Sequence, residues 1–372
     1  MNNNTYISSA SRNMGIELLR IISMLMVVSL HCLGHGGILQ NTHTFSLNNN
    51  IAWFIEIFCY CAVNIYVLIT GYVSINSIYR FSRIIVLWIQ VVFCSLCTLI
   101  LFKVTMPSTV SLKQFILALF PVSTQQYWFF TSYFALFMFI PIYNFILKSL
   151  SKEKLHNLIG ICILLFSILS FISKYLGGDI FYLNDGHSFL WFSVLYLIGG
   201  YVKLYPETFL KISTTKCLIT YLLCVLIVWG SRFLISFITL KKWGNIKYDA
   251  LLVSYTSPFI LLCAMSLLLI FTRIKISHFT SIIQILASTT FGVYIFSEHP
   301  YIRSFFIIDT LKPFAESNLF IMLSHFLLKV FTIYLLCTLL DYLRKLLFDL
   351  FRIRDRCMKY CESFSKKFFP IK

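Results

Sequence analysis

Apolar runs of about twenty residues alternate with short polar stretches rich in Lys, Arg and Asn along the whole chain. As a helix, such a run crosses the ~30 Å hydrocarbon core of a bilayer. Ten segments have this length, at approximately 15–36, 51–75, 84–104, 127–147, 156–174, 188–204, 217–239, 250–271, 282–302 and 319–343. The segment 112–126 is shorter, amphipathic and carries Pro121, and is predicted to be interfacial or re-entrant. Ten-residue alternations would mark a barrel, and the runs are twice that long. The pattern therefore predicts an all-α, polytopic transmembrane bundle of about ten spans. No small-residue cleavage site follows the first run and further spans come after it, so it is predicted to be retained as a span.

Composition agrees. Hydrophobic residues make up 59% and charged residues 12% of the 372 positions, which excludes an ordinary soluble domain. The net charge of +17 finds its explanation in loops rather than in nucleic acid, for which there is no signature. With the N-terminus inside, twenty of the 31 Lys and Arg fall on the cytoplasmic side and eight outside, while Arg20, Arg232 and Lys329 lie within spans. Both termini are thus predicted to be cytoplasmic, against the dissent of one loop, 240–249, with Lys241, Lys242 and Lys247. Residues 1–345 read as the transmembrane domain and 346–372 as a basic tail. That tail suits an amphipathic helix on anionic lipid, or help in holding a polyanionic cofactor. The Asn-rich stretches Asn2–Asn4 and Asn48–Asn50 read as a terminus and a loop. The twelve cysteines, including Cys94 and Cys97, are scattered through apolar segments and read as small buried hydrophobes.

Charge inside a span is the signal for chemistry, because ionisable groups in a bilayer are costly. The stretch Gly15–Gly37 carries Glu17, Arg20, His31 and His35. Arg20 and His31 are separated by three helical turns plus roughly 20°, so they share one face about 16 Å apart. Glu17 and His35 lie one turn from each of them, near the same face. A neutral imidazole can take a proton from a hydroxyl, and a guanidinium holds its charge when buried and binds carboxylate, phosphate or a developing oxyanion. A structural Glu17–Arg20 pair and a packed histidine are the plain alternatives. Two further stretches are polar at a span end. Glu298, His299 and Arg303 surround Pro300, which should end or kink a helix, and serve either as an interfacial cap or in substrate contact. Gln125, Gln126, Tyr127 and Trp128 mark a membrane entrance, where aromatic and amide groups suit a sugar ring or any interface. Glu56, Asn64 and Arg232 are polar groups within spans without an assigned role. No nucleophile triad, phosphate loop or metal-ligand cluster declares itself, and no metal is expected.

These stretches together resemble the acyltransferase-3 family of integral membrane acyltransferases, in particular the branch that O-acetylates bacterial surface polysaccharides. Arg20 through His31 matches its R-x10-H motif. HCLGHGG (31–37), IYVLITGYV (65–73), QYWFFTSYFALFMFIPIYN (126–144), GHSFLWFSVLYLIGGYVKLY (186–205) and FGVYIFSEHPYIR (291–303) follow in the family's order. One position departs: where family members commonly carry a histidine, this chain has Ser297, and His299 is not its equivalent. The resemblance implies a plasma-membrane enzyme of exopolysaccharide biosynthesis. Acetyl-CoA would be its donor substrate, with no permanently bound cofactor, and a glycan hydroxyl its acceptor. It implies catalytic roles for His31 and Arg20. Substrate or donor contacts would come from among Glu17, His35, Gln126, Tyr127, Trp128, Glu298, His299 and Arg303. Two other classes share the hydropathy. A secondary transporter or flippase predicts a through-path, and a scaffold predicts a sealed polar stripe.

Overall fold

The computed structural model describes residues 12–368; Asn2–Asn4 and the last four residues of the basic tail lie outside them. The described chain is all helix and turn. In order come α1 (Met14–Gly34), α2 (Ile38–Asn41), α3 (Leu47–Cys59), α4 (Ala62–Ser74), α5 (Ser82–Thr105), α6 (Leu112–Ala118), α7 (Trp128–Ser149) and α8 (Lys152–Ile163). They are followed by α9 (Ser170–Tyr175), α10 (Phe189–Leu204), α11 (Thr214–Trp243), α12 (Pro258–Arg273), α13 (Thr280–Ser297), α14 (Pro300–Phe306), α15 (Leu319–Leu350) and α16 (Ile353–Phe368).

Among the described residues, eight helical stretches are long and apolar enough to cross a membrane: α1–α2, α3–α4, α5, α7, α8–α9, α11, α13 and α15. The chain is an all-α polytopic membrane protein. The predicted segments at 188–204 and 250–271 correspond to shorter apolar helices, α10 and α12, of 16 residues each.

Local chemistry sets the helix ends. Side-chain oxygens of Asn13, Ser46, Ser151, Ser188 and Ser213 accept backbone N–H bonds at the starts of α1, α3, α8, α10 and α11. The second predicted span is interrupted at Tyr60–Cys61, between α3 and α4. The eighth starts later than its apolar run. Residues 250–257 form turns, and Pro258 occupies the first helical turn, where a missing N–H costs nothing. The ninth stops at Ser297, and Pro300 opens the separate helix α14. The 112–126 stretch forms the two-turn helix α6, with Leu112 and Ile116 exposed.

α1 is the hub, packed against α3, α4, α12, α13 and α15. The tightest seam joins α4 to α10. A Cβ on Gly71 would lie 2.1 Å from the Tyr196 carbonyl oxygen, and one on Gly199 the same distance from that of Leu68. The two backbones touch reciprocally, which is how helices associate where lipid gives no hydrophobic drive. Around the core, α11 and α15 expose Leu, Ile and Phe side chains, including Leu234, Phe237, Leu328 and Leu335, that suit acyl chains. Within the bundle sits a closed polar knot. Asp341, fully buried, accepts from Arg344 at 2.7 and 3.0 Å and from Gln90 at 3.1 Å.

Arg232 is held by Asp249 at 3.3 Å, with its guanidinium 3.9 Å from the Trp53 ring centre. Asn64 donates to the Tyr255 carbonyl at 2.8 Å and accepts from the Trp191 indole at 3.1 Å. Cys94 is buried, whereas Cys97 faces outward from the same helix.

Candidate active site

A cavity of about 720 Å³ opens inside the bundle along the polar stripe of α1, and Arg20, His31 and His35 line it. The helix is unbroken from Met14 to Gly34, so Arg20 and His31 stand about 16 Å apart. They occupy different levels of one cavity, which therefore leaves the stripe unsealed.

At the first level, one guanidinium nitrogen of Arg20 reaches both Glu17 carboxylate oxygens, at 3.1 and 3.3 Å. The Tyr66 hydroxyl donates to the Arg20 carbonyl at 2.7 Å and fixes the helix against α4. Arg20 keeps 28% of its side chain exposed, so the pair with Glu17 does not close it off from the cavity.

At the second level, His31 Nδ1 lies 3.0 Å from Glu298 Oε1, an ion-pair distance whose approach is not aligned as a hydrogen bond. The other Glu298 oxygen accepts from Arg303 at 3.2 Å. The His31 and His35 ring centres are 5.7 Å apart. The glycines of HCLGHGG explain how α1 stops at Gly34, with His35 as its cap. Gly37 takes φ +90, which disfavours any residue with a Cβ, and the turn is tied down by N–H bonds from Asp309 and Leu311 to His35 and Gly36.

The structure brings Arg20, His31, His35, Trp128, Glu298 and Arg303 to one wall system. Glu17 stands behind Arg20. Tyr127 turns away: its buried hydroxyl pairs with Ser95 at 3.0 Å and accepts from Gln126 at 3.2 Å. His299 is buried off the cavity, where its Nδ1 accepts from the Tyr301 N–H at 3.3 Å. Ser297 is fully buried and donates to the Tyr294 carbonyl at 3.3 Å, so the carboxylate beside His31 comes from the following residue.

Sequence reasoning left Tyr60, Tyr66, Tyr133, His187 and Tyr255 unassigned, although all five line the cavity together with Tyr294. The Tyr294 hydroxyl accepts from the Phe129 N–H at 3.3 Å. His187 lies in a loop, and burial pushes its pKa below the ordinary imidazole value, against the pull of the Asn184 carbonyl it contacts at 2.9 Å. Loops and aromatic residues give no helical period, which is why only the charged stripe stood out.

An imidazole backed by a carboxylate at one level and a guanidinium at the other suits proton transfer and anion holding, respectively. Comparison with known proteins adds a family. No curated protein and no solved structure matches the chain. Residues 13–342 match the acyltransferase-3 family model, described as an acyltransferase domain. The match spans nearly all of the helical bundle and both levels of the cavity: the chain belongs to the acyltransferase-3 family of membrane acyltransferases.

Proposed function

We propose that the protein is a plasma-membrane O-acyltransferase that moves an acetyl group from acetyl-CoA to a hydroxyl of a surface or lipid-linked polysaccharide. The observation that carries this is the single cavity that joins Arg20 to His31, with Glu298 behind the imidazole. The bundle is taken to have ten spans, α10 and α12 included, with both termini cytoplasmic. The Arg20 end then faces the cytoplasm, where acetyl-CoA is made. The chain divides into the transmembrane domain 1–345 and the basic tail 346–372.

The chemistry follows from the two levels. His31 accepts the acceptor hydroxyl's proton while that oxygen attacks the thioester carbonyl carbon. The carbon–sulfur bond breaks, and the imidazolium returns the proton to the leaving thiolate. Glu298, held by Arg303, stabilises the imidazolium formed in between. Tyr294 presents a hydroxyl on the same wall, suited to the developing oxyanion. At about 16 Å from His31, Arg20 holds the donor rather than the reacting carbonyl. Transfer through an acetylated protein group before the sugar is reached uses the same residues. A scaffold needs a sealed stripe, and this one lines a cavity. The family match favours acyl transfer over transport.

The test is mass spectrometry and proton NMR of surface glycan from cells with and without the protein. O-acetyl signals should disappear in its absence and return with the wild type but not with His31→Ala. Full acetylation by His31→Ala at normal protein levels would overturn the assignment of the base.

A further inference from the structure

Glu56 lines the same cavity and plays no part in the chemistry above. Its carboxylate makes no ion pair or side-chain hydrogen bond among the described residues, and its Oε2 is buried without a partner. Glu17 and Glu298, the carboxylates beside Arg20 and His31, are each matched to a cation. A buried acceptor left unmatched is costly and calls for a donor that the protein itself does not supply.

The surroundings indicate what donor fits. Tyr60, Trp128, His187 and Tyr255 also line the cavity, and they form one continuous aromatic wall. Tyr60 and Tyr255 stack with ring centres 4.8 Å apart, His187 lies 5.0 Å from Tyr255, and Trp128 lies 4.3 Å from His187. The wall is built, not incidental. Asn64 grips the Tyr255 carbonyl, and the Tyr255 N–H donates to the Asp185 carbonyl at 3.1 Å, which binds the 254–257 turn to the 184–187 turn. Glu56, His31, His35 and Glu298 all line that one cavity.

We infer that Glu56 and the wall of Tyr60, Trp128, His187 and Tyr255 form the acceptor subsite, which takes a pyranose. The rings receive the apolar C–H face of the sugar, and the carboxylate accepts hydrogen bonds from its hydroxyls. Arg20 and Arg303 are matched to Glu17 and Glu298, so neither competes for the Glu56 carboxyl. This subsite presupposes the acyl transfer proposed above, and it sets which hydroxyl reaches His31.

The experiment uses full-length protein in membranes, acetyl-CoA, and surface glycan stripped of its esters by mild base. If the wild type transfers no acetyl group to this glycan, the acyl-transfer proposal fails and the subsite with it. If it does transfer, Glu56→Gln should raise the acceptor KM about 3- to 10-fold, the loss of one buried hydrogen bond, while the acetyl-CoA KM stays within about twofold. Trp128→Leu should also raise the acceptor KM with little effect on the donor, and it decides the matter if Glu56→Gln does not accumulate. An unchanged acceptor KM in an active wild-type background would overturn the subsite alone. So would a thermal destabilisation of Glu56→Gln with normal acceptor KM, the mark of a structural carboxylate.

Discussion

Two buried ionic clusters in this bundle use the same residue types and differ in how completely they are satisfied. Around Asp341, two bonds from Arg344 and one from Gln90 consume the carboxylate, and nothing opens onto it. Around Glu298, Arg303 takes one oxygen, while the other faces His31 at 3.0 Å without hydrogen-bond alignment and lines the cavity. A closed, fully bonded cluster holds helices in register. An incompletely bonded cluster on a cavity retains capacity for a proton that comes and goes. Burial and charge are shared; access and residual bonding capacity distinguish the Glu298 cluster, which we propose as the reactive one.

Substitutions can test that contrast, beginning with the largest effect. His31→Ala should lower acetyl transfer about 10²- to 10⁴-fold in a membrane assay, with protein yield unchanged. Asp341→Ala should do the reverse. It leaves Arg344 without a partner and should cost about 3–5 kcal/mol of stability, read as a lower melting temperature in detergent, while molecules that remain folded keep their turnover per mole. Glu298→Gln should retain the fold and lower kcat about 10²-fold, because the imidazolium loses its counter-charge. If Glu298→Gln instead behaved like Asp341→Ala, the distinction between the clusters would collapse. Arg20→Lys should be the mildest, with an acetyl-CoA KM raised about tenfold and kcat largely kept, since Lys carries charge without the planar fork.

How much of this was legible beforehand depends on the kind of signal. Arg20 and His31 stand out as charge inside an apolar span, and helical period puts them on one face, because an unbroken helix turns spacing into geometry. Glu298 and Arg303 could be noted as a polar cluster at a span end, but only tertiary packing brings Glu298 to His31. Glu56 appeared as a lone acid in an apolar run. Its meaning came from rings on the 184–187 and 254–257 turns, where no period operates. Tyr127 illustrates the opposite error. It shares the entrance motif with Trp128, yet adjacent residues near a helix start point apart, and its hydroxyl is taken by Ser95. The late start of α12 had a local cue in Pro258, overshadowed by the apolar residues before it.

The straightness of α1 has one more consequence. With no kink between Arg20 and His31, the helix acts as a ruler. If Arg20 holds the donor as proposed, the acyl carbon reaches His31 only when the donor's flexible arm spans about 16 Å. Donors would then be chosen by length as well as by acyl group. A small thioester with no phosphate-bearing arm would gain nothing from Arg20, and its turnover should be indifferent to the loss of that residue.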